Sequence, residues 1–573
     1  MELIAETGRG LHGLDYGIIL LYMVGVLALG WHLGRKHKEG EDFFLAGRKM
    51  PWFAVGLSLV ATLLSTLTYL AAPGEVIQHG LALAIGWLGL PIAFLIVNFL
   101  WIPFFMRLRV TSIYEYLERR FGLAARWTAA GLFVFVLRLL WMAAIVYTAS
   151  VAVSQITYPT IIKLLPWEMS SDGWTLTVLL SVGILATVYT MIGGITAVIW
   201  TDVLQFICLF AGLIFTLIFV AIDTGSGPVD WWNTTTASAG AGHEFPALFS
   251  FDYTDRNVVL FTLLSMVCWY ACTFIADQVA VQRYLTIPTV REAILGNIVQ
   301  FVADFFIMIM LAACGMALLH YYLQPELQTV IFDGISDPRH KDVADKVFPH
   351  FIANGLPMGV SGLVVAALFA VAMSSIDSGV NSVAAVVTVD FVKRTRPGIT
   401  PRVELQLARG ISLVVGLACT TMAVLMLAIP ENYNIIGITL RTFNCALGPM
   451  GGLFLMGIFL PRVSQKAAVI ATFVGLGIAV WIAWCLEIQW LLGLTDFASM
   501  KEMSDAMVGP SPFLITPTAT VSTVLIGWLL SLFMPNRDMA SARKLGWWSV
   551  VHGGDDGGGT DKGTGAMDWV EPR

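Results

Sequence analysis

Long apolar segments alternate with short polar ones along the whole chain. Each apolar segment is close to or above the roughly 20 residues that an α-helix needs to cross a bilayer core. The pattern predicts an all-α polytopic membrane protein with about thirteen transmembrane helices. The predicted spans are residues 15–34, 52–73, 81–106, 126–157, 174–193, 195–223, 257–280, 294–322, 357–392, 406–429, 434–460, 466–488 and 514–534.

Arg and Lys residues follow every second predicted span. Examples are Arg35 after the first span, Arg107 after the third, Arg283 after the seventh and Lys393 after the ninth. Because cytoplasmic loops are enriched in these two residues, we expect the N-terminus outside and the C-terminus in the cytoplasm. We expect the protein to lie in the inner or plasma membrane.

The ninth span is too polar for a helix that only faces lipid. Within the apolar stretch 366–392, Ser374, Asp377, Ser378 and Asn381 fall on one helical stripe. Their oxygens could hold a small cation that prefers oxygen ligands. The alternative is helix packing, since small polar residues also hydrogen-bond between membrane helices.

The remaining composition supports a polytopic membrane protein and argues against an enzyme. Of the 573 residues, 57% are hydrophobic and 13% are charged, whereas soluble proteins have about a quarter charged. The seven cysteines lie in apolar segments without metal-type spacing, the nine histidines are scattered, and no nucleic-acid face is visible. We expect no removable signal peptide, and the Gly- and Asp-rich stretch from Trp547 onward predicts a disordered tail.

Four motifs in order resemble the sodium:solute symporter family. They are FLAGR at 44–48, GGITAV at 193–198 with WTDVLQ at 200–205, QRYL at 282–285, and the segment from Ser374-Ser375 to Asn381-Ser382. The resemblance covers nearly all of residues 15–535. It implies the leucine-transporter-type fold, in which two five-helix repeats have inverted topology.

That fold implies five regions. Residues 1–50 would hold an extra helix and a basic loop, 51–223 the first repeat, and 224–460 the second repeat with external loops. Residues 461–535 would hold extra C-terminal helices, and 536–573 a cytoplasmic tail. The unwound helix segments come from the resemblance alone, because neither 60–67 nor 267–276 contains Gly or Pro.

The resemblance also implies a main sodium site between the second and ninth spans. Its ligands would be the backbone carbonyls of Ala61, Leu64 and Val371 and the hydroxyls of Ser374 and Ser375. A second sodium would use Asp202, Ser375 and Ser378, with Asp377 nearby. Alternatively, Asp202 is a structural hydrogen-bond acceptor that closes the inner exit.

The solute is expected to be an organic anion. Sugar-transporting members carry amide and acidic side chains in the second span, where this chain has Leu63, Leu67 and Thr68. This segment resembles the branch that carries monocarboxylates, vitamins and inorganic anions. The candidate solute-binding residues are Thr68, Trp269, Asp304, Arg441 and Arg138.

The two arginines have structural alternatives. Arg441 could bind a carboxylate through two parallel hydrogen bonds, or it could extend from the outer rim towards water. Arg138 could bind the solute, or it could form an ion pair, for which Asp304 is one partner.

The sequence thus predicts sodium-coupled symport of a small organic anion such as a monocarboxylate or sugar acid, with sodium, the solute and the bilayer as partners. A sodium/sugar or sodium/amino-acid symporter and a transporter-like membrane sensor are the alternatives.

Overall fold

The computed structural model describes residues 10–34, 40–164, 166–237, 248–253, 258–324, 335, 337–340, 343–396, 398–429, 435–495 and 510–553. These residues fold into twenty helices of six residues or more. In chain order they are α1 Gly13–Gly34, α2 Gly40–Leu45, α3 Trp52–Leu63, α4 Thr66–His79, α5 Ala84–Leu108, α6 Tyr114–Phe121, α7 Leu123–Lys163, α8 Ser171–Thr224, α9 Pro228–Ala237, α10 Val259–Ala276, α11 Gln278–Tyr284, α12 Val290–Tyr322, α13 Ala344–Asn354, α14 Val360–Thr395, α15 Pro401–Met426, α16 Gly437–Phe459, α17 Gln465–Leu491, α18 Ile515–Phe533, α19 Met539–Lys544 and α20 Trp547–His552.

Within the described residues, eleven helices are long and apolar enough to cross a membrane, and the bent pair α3 and α4 makes a twelfth span. Helix α8 has 54 residues. At 1.5 Å per residue it is roughly 80 Å long, far more than the ~30 Å of a bilayer core. Its backbone leaves the helical region at Gly194, with φ 52° and ψ −163°. Counting the two arms of α8 separately gives the thirteen spans that the sequence predicts.

Gly194 is required by the geometry of this break. Positive φ values are accessible mainly to glycine. A Cβ atom at this position would lie 2.8 Å from the carbonyl oxygen of Phe43, so any side chain would collide with α2. The break in α8 is therefore tied to the close approach of α2.

Two spans are interrupted without Gly or Pro. Between α3 and α4 the backbone is extended at Leu64 and Ser65, and the Ser65 hydroxyl accepts a hydrogen bond from Thr68 N at 3.2 Å. Between α10 and α11 it is extended at Asp277, whose carboxylate accepts from Val279 N at 2.9 Å. In each case a capping side chain satisfies backbone donors of the new helix, and this makes the break stable inside an apolar surround.

Helix α14 forms the centre of the molecule. All residues from 364 to 386 are buried. It packs against α8, α1, α7 and α15. Its N-terminus is held by Asp15, whose Oδ1 accepts from Gly359 N at 2.7 Å and Gly362 N at 2.8 Å. The polar stripe on α14 therefore faces protein on all sides.

The C-terminal segment is partly folded, so the prediction of disorder from Trp547 is wrong for residues 547–553. Trp547 Nε1 in α20 donates to the Leu100 carbonyl at 2.9 Å, and Arg107 donates to the Val551 carbonyl. The reason is the apolar surface that α20 presents to α5. Val550 is buried there, and Trp547 packs against the core. Residues 554–573, the rest of the predicted tail, lie outside the described residues.

Candidate sodium and solute sites

The predicted main sodium site is assembled around Ser374. Its hydroxyl lies 2.8 Å from the Ala61 carbonyl oxygen and 2.9 Å from the Val371 carbonyl oxygen. Ala61 is in the last turn of α3, where the helix break leaves carbonyl groups without intrahelical partners. The structure thus brings Ala61, Val371 and Ser374 together, with Leu64 at the adjoining break.

Ser375, the residue after Ser374 on α14, adds a further candidate oxygen ligand. Its hydroxyl is buried and has no hydrogen-bond partner among the described residues. Two carbonyls and two hydroxyls form a neutral oxygen set, which suits a monovalent cation that must also be released. An unpartnered buried hydroxyl on the residue after Ser374 fits sodium at this position.

The predicted second sodium site contains a protein cation. Asp202 Oδ2 accepts hydrogen bonds from Ser58 at 2.5 Å, from Thr62 at 3.2 Å and from Arg283 Nη2 at 3.1 Å. Arg283 also donates to Ser378, and its Nε donates to Ser58 at 2.9 Å. The guanidinium therefore lies between Asp202 and Ser378.

Asp377 completes this cluster from α14. Its Oδ1 accepts from Ser378 at 3.0 Å, and its Oδ2 accepts from the Tyr189 hydroxyl. Ser378 is also 3.1 Å from the Thr62 hydroxyl. The structure thus joins Asp202, Ser378 and Asp377 in one network. We call Asp202, Asp377, Ser378, Arg283, Ser58 and Thr62 the Asp202 cluster.

Sequence reasoning missed the role of Arg283. It was counted among the cations that follow the seventh span, but its side chain is fully buried in the protein. The sequence feature that could have identified Arg283 is the QRYL motif, which served only as evidence of the family resemblance. Its neighbour Gln282 binds Asn381 at 2.9 Å and Ser382 at 2.7 Å. The inner end of the α14 stripe is therefore used for packing.

Arg138 forms a buried ion pair, but not with Asp304. Its Nη2 donates to Asp277 at the break between α10 and α11. The guanidinium also lies over the Phe443 ring, 5.7 Å from its centroid, and Arg138 Nε has no partner among the described residues. Asp277 was not among the residues predicted to have a role. An acidic residue between two apolar helical stretches is, however, a recognisable helix cap.

Aromatic rings bring Arg138 and Trp269 into one region. Phe443 lies 4.8 Å from Trp141 and 6.4 Å from Trp269, measured between ring centroids. Phe443 thus contacts both Arg138 and Trp269, two of the candidate solute-binding residues.

Two further candidate solute-binding residues, Asp304 and Thr68, form hydrogen bonds with neighbouring side chains. Asp304 Oδ2 accepts from Tyr270 at 2.8 Å and from Gln300 at 2.7 Å. The Thr68 hydroxyl is 3.1 Å from Ser65 at the break.

Arg441 contacts other residues than Arg138 does. It pairs with Glu487 at 3.1 Å, lies 5.6 Å from the centroid of Trp484 and is about one third exposed. It therefore faces α17 at the rim, which agrees with the structural alternative for this residue.

The model of the sodium:solute symporter family matches residues 43–475. The chain belongs to the sodium:solute symporter family. Membership makes it a sodium-coupled transporter rather than an enzyme, so the predictions of family, of sodium as the coupling ion and of symport are confirmed.

The similar proteins within this family include symporters of an acidic sugar. The sodium/sialic acid symporter NanT of Aliivibrio fischeri is 32% identical over 82% of this chain and 87% of its own length. The sodium/sialic acid symporter SiaT of Proteus mirabilis is 31% identical over 81% of this chain and 88% of its own length.

A solved structure of a Na⁺-coupled sialic acid symporter, in its substrate-bound outward-open state, has the same fold. The TM-score is 0.75 at 25% identity, and the match covers 91% of this chain and 98% of that chain. The prediction of an all-α membrane protein with the leucine-transporter-type fold is confirmed.

Proposed function

We propose that this protein uses a sodium gradient to import a small carboxylate-bearing anion, either a sugar acid or a monocarboxylate. It acts in the inner or plasma membrane, with its N-terminus outside and its C-terminus in the cytoplasm. The similarity to two sialic acid symporters supports a sugar acid as the first solute to test.

The observation that carries the proposal is the contact of Ser374 with the Ala61 carbonyl across the broken second span. A sodium ion bound by Ala61, Val371, Ser374 and Ser375 would fasten α3 to α14. Because α4 begins two residues beyond Leu64, the same ion would fix the position of Thr68. Sodium would thereby order one wall of the solute site before the two repeats rock inward.

Arg138 is better placed than Arg441 to bind the carboxylate. Arg138 is buried next to Phe443 and keeps a free Nε, whereas Arg441 is shared with Glu487 at the rim. A guanidinium has five N–H donors, so pairing with Asp277 leaves donors for a second acceptor. The charge of the solute is then balanced by the sodium that accompanies it.

The driving force depends on how many sodium ions accompany the anion. Each net positive charge that moves inward releases about 2.3 kcal/mol per 100 mV. A monovalent anion with one sodium moves no net charge and depends on the sodium concentration gradient. With two sodium ions the membrane potential adds about that amount, or roughly a fortyfold accumulation at about 1.4 kcal/mol per tenfold step.

The direct test is uptake into proteoliposomes that contain the purified full-length protein. Sialic acid, other sugar acids, monocarboxylates, neutral sugars and amino acids would each be offered with an inward sodium gradient and with a matched potassium gradient. We expect sodium-dependent accumulation of a carboxylate. Accumulation of neutral sugars or amino acids alone would overturn the assignment to anions.

The solute site is tested with a variant that leaves no buried charge unpaired. Arg138→Gln combined with Asp277→Asn removes both members of the ion pair, since removal of one would leave a buried charge. We expect at least a tenfold rise in KM for the anion, equivalent to about 1.4 kcal/mol. Arg441→Gln is the matched control at the rim and should change KM less. The reverse order would move the carboxylate site to Arg441.

A further inference from the structure

The carboxyl group of Asp304 lies inside the protein without a basic partner among the described residues. Asp304 is 1% exposed and lies near the middle of α12. Its Oδ2 accepts hydrogen bonds from the Tyr270 hydroxyl at 2.8 Å and from Gln300 Nε2 at 2.7 Å. Its Oδ1 has no hydrogen-bond partner in the described part of the chain. Both groups that donate to Asp304 are therefore uncharged.

The other buried aspartates of the described residues have stronger compensation for a negative charge. Four of them have an arginine in a direct ion pair or in the Asp202 cluster, namely Asp202, Asp277, Asp390 and Asp377. Asp15 accepts hydrogen bonds from three backbone N–H groups, two of them at the N-terminus of α14. Burial disfavours the charged form of a carboxyl group unless an opposite charge or several donors stabilise it. Asp304 has the least compensation of the six, so its neutral form is favoured.

The surroundings of Asp304 suit a proton better than a metal ion. Gln300 turns its amide NH2 group, and not its oxygen, towards the carboxyl group. The Tyr270 ring lies 5.6 Å from Phe301 and 5.0 Å from Trp269, measured between ring centroids. The carboxyl group thus meets hydrogen-bond donors and aromatic rings, whereas a hard cation needs several oxygen ligands. A proton on Oδ1 would neutralise Asp304 and leave both hydrogen bonds to Oδ2 in place.

Tyr270 is the one titratable side chain that contacts Asp304 within the described residues. Helices α3, α4, α5, α8, α9, α11 and α13 pack against α12, and α10 supplies Tyr270. Helices α3 and α10 contain no charged residue. The charged residues and histidines of the other six helices form no hydrogen bond or ion pair with Asp304. They are Glu75 and His79 of α4, Arg107 of α5, Asp172, Asp202 and Asp223 of α8, Asp230 of α9, Arg283 of α11, and Asp345, Lys346 and His350 of α13.

Further unpartnered polar atoms lie on the same face of α12. They are Gln300 Oε1 and both amide atoms of Asn297, and both side chains are buried. Residues 297, 300 and 304 are three and four positions apart, so their side chains are neighbours on the helix. Asn297 is nearer to the Val290 end of α12, which is cytoplasmic in the proposed orientation. These amides can hydrogen-bond to water that enters from this end, and they mark a path between Asp304 and the cytoplasm.

We propose that Asp304 is a proton-binding site that exchanges its proton with the cytoplasm during transport. The carboxyl group holds the proton on Oδ1 in the conformation described. When helix movement admits water along Gln300 and Asn297, the proton leaves to water and a hydrated carboxylate remains. Return to the closed conformation requires that a proton from water binds again. This gives Asp304 a role other than solute binding, and the side of release rests on the proposed orientation.

Infrared spectroscopy of the purified full-length protein in lipid tests the protonation without any solute. A protonated carboxyl group has a C=O stretching band that a carboxylate lacks. We expect the wild type at neutral pH to show such a band and Asp304→Asn to lose it. Tyr270→Phe removes one donor to Oδ2, so the band should shift and remain. Asp230→Asn is the control, because Asp230 is exposed, and it should leave the band unchanged.

Uptake at different internal pH values tests the exchange with the cytoplasm. Proteoliposomes would take up sialic acid under a fixed sodium gradient while the internal or the external pH is varied separately. A single titrating group changes its ratio of ionised to neutral form about tenfold per pH unit. The maximal rate of the wild type should therefore rise with internal pH, by up to about tenfold per unit. Asp304→Asn cannot release a proton, so its rate should not depend on internal pH.

Three results would overturn the proposal. The first is an Asp304→Asn variant with the same carboxylic acid band as the wild type, which would mean that Asp304 is ionised. The second is an Asp304→Asn variant whose uptake keeps the full dependence on internal pH. The third is the loss of one bound ion from this variant in equilibrium binding of radioactive sodium, which would make Asp304 a sodium ligand. The proposed function fails separately, if no carboxylate is taken up with sodium although the infrared band disappears in Asp304→Asn.

Discussion

The proposed main sodium site and the Asp202 cluster share helices α3 and α14 but differ in charge. Ala61 and Thr62 are adjacent on α3, and Ser375 and Ser378 are one turn apart on α14. On one side the two helices present neutral carbonyl and hydroxyl oxygens. On the other side Asp377 of α14 lies in one network with Asp202 of α8, and the guanidinium of Arg283 from α11 lies between Asp202 and Ser378. A neutral set can release its ion, whereas the charged set holds its cation as part of the fold.

Arg283→Gln should have the largest effect if Arg283 is a structural cation. It leaves the buried Asp202 without its ionic partner, and we expect a loss of stability of about 3–5 kcal/mol. Thermal unfolding of the purified protein measures the loss. The matched variant adds Asp202→Asn, which removes the unpaired charge and should restore most of the stability. A single variant as stable as the wild type would mean that Arg283 is not needed to balance Asp202.

Ser374→Ala with Ser375→Ala should abolish sodium-dependent uptake while the protein still folds. The change removes two neutral hydroxyls and leaves no charge unpaired, so the stability should change by only about 1–2 kcal/mol. Uptake into proteoliposomes with and without a sodium gradient provides the measurement. Ser412→Ala is the control, because among the described residues its buried hydroxyl bonds only to Ala408 O of its own helix. Full sodium coupling in the double variant would remove these serines from the site.

Ser58→Ala should destabilise the protein less than Arg283→Gln and would refine the comparison. Ser58 is one of three donors to Asp202 Oδ2, and Thr62 and Arg283 remain after its loss. A hydrogen bond to a charged group contributes about 1.5–3 kcal/mol, so the loss should be smaller than for Arg283→Gln. Chemical denaturation of both variants under the same conditions would test the order. A larger loss for Ser58→Ala would make the hydroxyl, not the guanidinium, the main support of Asp202.

The spans and the polar stripe of α14 could be predicted, because both depend on properties of single segments. A membrane helix needs a long apolar run, and the polar stripe on 366–392 stands out against such a run. The positions of the breaks were less accessible. No Gly or Pro marks Leu64 or Asp277, and the breaks depend on Ser65 and Asp277 acting as caps inside apolar segments.

The contacts between segments could not be predicted from one sequence. Whether Arg138 pairs with Asp277 or Asp304 depends on the packing of α7 against the α10–α11 break. Likewise, Arg283 follows an apolar span and resembles a loop cation until the fold places it beside Asp202.

The docking of α20 has a practical consequence for protein engineering. Trp547 and Val551 attach the end of the chain to Leu100 and Arg107 on α5. A fusion partner or affinity tag joined after residue 553 would leave these contacts intact. A truncation before Trp547 would uncover the face of α5 that α20 covers and lower the yield of monodisperse protein.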